Sequence, residues 1–185
     1  MTSLRFLLLP GWQNSGPAHW QSLWQLRPGF DRVVQDDWRW PRRGDWMARL
    51  EDLLLADDDR PAVLVAHSLG CHLVAAWARH SQHTHRVVAA LLVAPPDLTR
   101  ADRPPQLHNW SPLTAQDLPF ASTTVLSAND PFCALSQGLQ IAQGWGSEAV
   151  LLGPLGHLNG DSGLGGWPEG LALLDALLRR TGLAD

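Results

Sequence analysis

The chain contains no lysine and no tyrosine, so all 14 of its Lys-plus-Arg residues are arginines. Without lysine there is no Schiff-base chemistry, no pyridoxal phosphate attachment, no P-loop lysine and no Ser–Lys dyad. Without tyrosine there is no phenolic acid or base. Cysteine is scarce: Cys71 and Cys133 are too few for a disulfide framework, and small apolar packing roles are expected of both. No apolar run approaches the ~18 residues that span a bilayer. The apolar start Leu4–Leu9 is too short for the core of a secretion signal and is broken at once by Pro10-Gly11. The net charge is −4, the arginines are scattered, and no basic stripe suggests nucleic acid. These absences lead to the expectation of a cytoplasmic protein with no membrane and no nucleic-acid partner.

Tryptophan, by contrast, is abundant, with 10 residues. So many indoles need large apolar slots or an aromatic-lined cleft, and structural roles are expected for most. The 185 residues suit a single domain, 1–185, able to bury a core without staples.

The stretch from Pro61 to Cys71 organises the chain. A continuous apolar run, Ala62 to Ala66, reads as a buried parallel strand. His67-Ser68-Leu69-Gly70 follows, and then the helical pattern Leu73, Val74, Ala75, Ala76, Trp77. Ala66-His67-Ser68-Leu69-Gly70 is a variant of the G-x-S-x-G nucleophile elbow, with Ala in place of the first Gly. So tight a strand-to-helix turn strains the Ser backbone and demands small residues two positions to either side. It lifts the Ser68 hydroxyl above the sheet and aims the Leu69 N–H at whatever oxygen sits there.

Around this centre, apolar runs at Leu4–Leu9, Phe30–Gln35, Val87–Val93, Ser122–Ser127 and Glu148–Leu152 read as further strands. Helical spacing marks Ala18–Leu26, with Pro17 suited to its first turn, a segment from Asp45 to Leu54, Ala134–Trp145 and Pro168–Arg180. Six strands alternating with helices predict an α/β fold with a mostly parallel, doubly wound sheet. The run Asp57-Asp58-Asp59 reads as a solvated helix end or a loop before the next strand rather than a metal site. His80, His83 and His85 crowd together, but no Cys or carboxylate stands beside them in the sequence, so a metal site is not expected.

A serine hydroxyl is a weak nucleophile and needs an adjacent base. Ser68, Asp130 and His157 each follow a predicted strand, in the chain order Ser, Asp, His. His157 would take the Ser68 proton, and Asp130 would orient the imidazole. The loop from Pro10 to Pro17 would supply a second oxyanion donor, the Trp12 N–H, beside that of Leu69. Rivals exist. His19 is a competing base that could also contact substrate; Asp97 and Asp161 are competing acids; Asp130 could instead N-cap a helix starting near Pro131. His67 should point away from Ser68, and His72 lies within a helix. The irregular, proline-rich stretch from Pro95 to Pro119 is too short for a full lid domain. Trp110, Leu113 and Phe120 in or beside it either line an acyl pocket or pin the segment down.

Longer motifs carry a resemblance. They are Pro10-Gly11-Trp12 with Ser15-Gly16-Pro17 and His19-Trp20-Gln21; Asp37-Trp38; Ala66 to Cys71; Trp110-Ser111-Pro112; Leu118-Pro119-Phe120; Asn129 to Cys133; and Gly156-His157-Leu158-Asn159 with Ser162 to Gly165 and Trp167 to Gly170. In these the chain resembles the small serine hydrolases of the YdeN and retinoblastoma-binding-protein group. The resemblance implies a compact α/β-hydrolase fold with helices on both faces and the triad Ser68, Asp130 and His157, favouring Asp130 over Asp97. It further implies cofactor-free hydrolysis of small esters or related acyl substrates through an acyl-enzyme. Some members of the group are discussed as protein-binding factors. A protein-binding module and an amidase or peptidase with the same triad therefore stand as alternatives, and the oligomeric state is open, a monomer being the default.

Overall fold

The computed structural model describes residues 4–56 and 59–183. Met1–Ser3, and Asp57 and Asp58 of the acidic run, lie outside the described residues. The strands are β1 (Arg5–Leu9), β2 (Phe30–Arg32), β3 (Ala62–His67), β4 (Val87–Val93), β5 (Ala121–Ser127) and β6 (Glu148–Leu152). The helices are α1 (Trp20–Trp24), α2 (Arg43–Leu55), α3 (Leu69–His80), α4 (Leu135–Gly144) and α5 (Pro168–Arg180). The strands form one sheet in the order β2-β1-β3-β4-β5-β6, with every pairing parallel. The order reverses beside β1, so β1 and β3 flank a topological switch point, where open α/β sheets place their ligands.

The strands at the centre carry apolar residues on both faces because helices cover both. Leu7, Leu9, Leu64, Ala66, Ala90 and Leu92 pack with Trp46 and Leu50 of α2 and Leu73, Val74 and Trp77 of α3. The alternate residues Leu8, Val63, Val65, Ala89, Leu91 and Val93 pack with Trp20 and Trp24 of α1, Trp167, and Leu174 and Leu177 of α5. This alternation is the two-residue period of a strand. Seven tryptophans are fully buried, and most use the indole N–H to hold a loop carbonyl: Trp20 on Leu158 O, Trp24 on Gly166 O, Trp110 on Pro41 O and Trp145 on Thr114 O. Their role is to pin irregular segments to the core. Among the described residues no helix is long and apolar enough to cross a membrane.

Three local expectations change. α1 begins at Trp20 with His19 as its N-cap, so Pro17 lies before the helix rather than in its first turn. The His19 imidazole accepts the Gln21 N–H, doing there what Ser or Asp does at other helix starts. β2 ends at Arg32, three residues short of Gln35. His83 does have a carboxylate partner: Glu51, distant in sequence, lies 2.7 Å from its Nδ1.

The sheet edge that carries Ser68 is packed at backbone distance. A Cβ on Gly70 would lie 2.3 Å from the Leu9 carbonyl oxygen, and one on Gly11 would lie 2.7 Å from Ser68 Cβ. Neither position has room for a side chain. Gly70→Ala is expected to cost about 3 kcal/mol or more, read from the urea midpoint. A loss within the error of the measurement would mean that β1 and α3 approach each other less closely than described.

Candidate active site

Ser68 lies between β3 and α3 at φ 55, ψ −123, a backbone conformation that side-chain-bearing residues seldom adopt. Its N–H is held by Val93 O at 2.9 Å and its carbonyl by the Cys71 N–H at 2.9 Å, which fixes the turn from both sides. The hydroxyl faces a histidine: Ser68 Oγ is 2.9 Å from His157 Nε2. On the far side of that ring, Nδ1 lies 2.9 Å and 3.0 Å from the two Asp130 oxygens. An ionised carboxylate only accepts, so Nδ1 carries the proton and Nε2 is left to accept the serine O–H. The side chains of Asp130 and His157 are 4% and 9% exposed, which strengthens their attraction by excluding water.

Much of the loop after β6 serves to place His157. Gly156 and Leu158, on either side of it, both have positive φ. Asn129 Oδ1 accepts the Gly156 N–H at 2.7 Å, and Ser127 Oγ accepts the Leu155 N–H at 3.0 Å. The Leu158 carbonyl takes the Trp20 indole N–H at 2.8 Å. The Phe132 ring meets the imidazole edge-on, 4.7 Å between centroids. His67, expected to face away from Ser68, packs against the rings of His19 and His157 and donates its Nε2–H to the His157 carbonyl at 2.9 Å.

The rivals are engaged elsewhere. His19 Nδ1 spends its lone pair on the Gln21 N–H, so the neutral ring carries its proton on Nε2 and has no lone pair free to act as a base. Asp97 accepts from the Thr99 N–H and hydroxyl rather than from an imidazole. Asp130 caps no helix, since α4 starts five residues later; it accepts the Phe132 N–H at 2.9 Å in a local turn while also bonding His157.

Ser68 and His157 open into a cleft of about 700 Å³. Trp12 and Leu69 line it, and among the described residues neither of their N–H groups donates a backbone bond within the fold. The cleft lining mixes apolar residues, Pro96, Leu98, Pro104 and Leu107, with polar and charged ones, Asn14, His19, Arg100, Arg103, Asn159 and Asp161. Of the four residues expected to contact substrate, only His19 reaches the cleft. Trp110 is buried against Trp46, 5.6 Å between centroids, while Leu113 and Phe120 pack on the core. These three pin the segment down, and the residues nearer its start, Pro96 to Leu107, do the lining. Among the described residues no group of three or more His, Cys, Asp or Glu is arranged to hold a metal ion.

Residues 6–176 match the serine hydrolase family, and the chain belongs to that family. Among solved structures it is similar to a protein described as a YdeN-like hydrolase from Pectobacterium atrosepticum, with 28% identity, a TM-score of 0.84, and 97% of this chain and 92% of that one covered. The ydeN gene product of Bacillus subtilis aligns at 19% identity and a TM-score of 0.73, over 96% of this chain and 100% of that one. Esterase 2 of Thermogutta terrifontis, in a form phosphorylated by paraoxon, aligns at 18% identity and a TM-score of 0.63, over 100% of this chain and 84% of that one. No curated protein matches the sequence at a significant level. The α/β-hydrolase fold is thus shared with hydrolases, and the chain is an enzyme of the serine hydrolase class.

Three of the histidines around the site are held neutral. Burial pushes His19 and His72 down to about 4, aided at His19 by the nearby Arg32 charge. Burial also holds His67 well below 6.5. His72 gives up little to remain so, since its Nε2–H donates to Pro96 O at 2.8 Å. The unfolded chain takes up protons at these residues near 6.5, before the folded chain does. Their contribution is complete above that pH and is withdrawn as the pH falls toward 4. The urea midpoint is therefore expected to drop between about pH 7 and about pH 4.5, and His72→Gln, which can still donate to Pro96 O, to flatten that drop. An equally steep drop in the variant would mean that His72 already titrates normally in the fold.

Proposed function

We propose that this serine hydrolase cleaves a small carboxylic ester, or a related acyl compound, through an acyl-enzyme on Ser68. The observation that carries the reading is the continuous chain of hydrogen bonds from Asp130 through His157 to Ser68. In the first half of the reaction Ser68 Oγ attacks the carbonyl carbon and His157 Nε2 takes its proton. Asp130 stabilises the resulting imidazolium without itself becoming protonated. The carbonyl oxygen, now an oxyanion, is received by the N–H groups of Leu69 and Trp12, aided by the positive end of α3. His157 then returns the proton to the leaving alkoxide, which departs. In the second half water repeats the sequence: His157 takes its proton, the acid is released and the Ser68 hydroxyl is restored.

All three side chains rise from the same edge of one sheet, which supports taking residues 1–185 as a single catalytic domain. The apolar lining residues Pro96, Leu98, Pro104 and Leu107 suit an acyl chain, and the polar ones suit the leaving alcohol. The cleft is lined by groups of both charge signs, with Arg100 bound to Asp102, and this is compatible with a small uncharged substrate. The paraoxon adduct of the Thermogutta esterase concerns that protein. It makes an organophosphorus reagent the natural probe for this one.

A fluorophosphonate probe is expected to label the wild-type protein and to leave folded Ser68→Ala unlabelled. Equal labelling of the two would place the nucleophile elsewhere. No labelling of folded wild type would favour a binding protein. His157→Ala should lower the hydrolysis of a short p-nitrophenyl ester by about 10³- to 10⁶-fold, since members of such a triad act as a unit. An unchanged rate would require another base. A matched anilide cleaved faster than the ester would move the reading to an amidase.

A further inference from the structure

Gln21, the second residue of α1, is 0% exposed. Its Nε2 donates to two strand carbonyls, Val65 O at 3.0 Å and Leu9 O at 3.3 Å, and its Oε1 accepts from Ser15 Oγ at 2.8 Å. Leu9 is the last residue of β1, and Val65 lies on β3, to which β1 is paired. One amide is therefore fastened to both strands at the switch point and reaches from there to Ser15. The residues between Leu9 and Ser15 are Pro10 to Asn14, the segment that carries the Trp12 N–H. Gln21 thus holds that segment at its first anchor and at its last, from beneath.

The segment needs holding. Gln13 and Asn14 have φ of 67° and 66°, and Gly11 packs directly against Ser68. From outside, Arg32 reinforces the same end, with Nη1 on Asn14 Oδ1 at 2.7 Å and on Ser15 O at 3.0 Å. Burying an amide is costly unless its polar atoms are bonded, and here a glutamine stands where an apolar residue would fill the space without that cost. An oxyanion donor works only within about 2.7–3.1 Å of the oxygen it receives.

We propose that Gln21 is a positioning residue for catalysis: by tying Ser15 to the ends of β1 and β3, it sets the Trp12 N–H at its working distance from Ser68. This rests on the serine hydrolase reading above, with Trp12 as an oxyanion donor. Gln21 touches no substrate. Its effect is exerted through the loop, and so it falls on the tetrahedral oxygen and not on the bound ester.

The test compares wild type, Gln21→Met and Ser15→Ala on a short p-nitrophenyl ester, with Ser68→Ala as the blank and thermal melting to verify folding. Gln21→Met is expected to lower kcat about 10- to 100-fold while KM stays within about twofold. A trifluoromethyl ketone, which forms a tetrahedral adduct on the serine, should lose affinity by the same factor as kcat/KM. Ser15→Ala, which removes only the Ser15 bond, should move the same quantities less, and should add little further loss in the Gln21→Met background. Should Gln21→Met fail to fold, Ser15→Ala alone decides. Folded variants with wild-type kcat and unchanged ketone affinity would overturn the proposal, as would a loss confined to KM. A wild type no faster than Ser68→Ala would overturn the ester reading itself, and this inference with it.

Discussion

Ser68 sits at a positive φ because three backbones converge there: the end of β3, the start of α3 and the loop leaving β1. That convergence is the constraint on which the rest of the site depends. Gly70 lets α3 press against Leu9 and Pro10, and Gly11 lets the Trp12 loop press against Ser68. The consequence is local strain at one residue, held by bonds to Val93 O and from the Cys71 N–H. In return the hydroxyl opens into the cleft, with an imidazole at 2.9 Å. Relaxing any of the three backbones would move the Ser68 hydroxyl relative to His157 and to the Trp12 and Leu69 N–H groups proposed as oxyanion donors.

The polar groups under the cleft serve the same end. Gln21 and Arg32 hold the β1 loop; Asn129, Ser127, Trp20 and His67 hold the β6 loop. In the proposed reaction the two loops carry opposite halves of the chemistry, oxyanion stabilisation and proton transfer, and both are tied back to strands and helices. Buried neutral histidines suit this work. Uncharged, His67 can pack between the rings of His19 and His157 without setting a second positive charge beside His157 in the proposed reaction.

The sheet was legible because its signals are local. Apolar runs ended by Gly or Pro marked β1, β4 and β6, and β4 and β6 fall on the expected residues. β2 stops at Arg32, short of the expected Gln35: the Val33 N–H still bonds Leu8 O of β1 at 2.9 Å, after which the pairing ends and Gln35 is buried outside the strand. Ser68, Asp130 and His157 could be picked out because each follows a strand end, and the structure brings the three together. Of the two roles open for residue 110, pinning is the one its indole N–H serves, on Pro41 O, while the cleft is lined from earlier in the segment. Gln21 and Asn129 were part of recognisable motifs but showed no role, because the partners that give them one, Val65 O and the Gly156 N–H, lie 44 and 27 positions away in sequence. Glu51, the partner of His83, was hidden for the same reason.

The central claim is that the acyl group passes through the Ser68 oxygen. The most direct measurement is mass spectrometry of the protein, acid-quenched during turnover of p-nitrophenyl acetate and digested. The account predicts one acetyl adduct, on the peptide containing Ser68, appearing with the first released nitrophenol and decaying when substrate is exhausted. An acetyl group found instead on His19 or Cys133, or sustained turnover with no adduct on Ser68 even when deacylation is slowed, would contradict it.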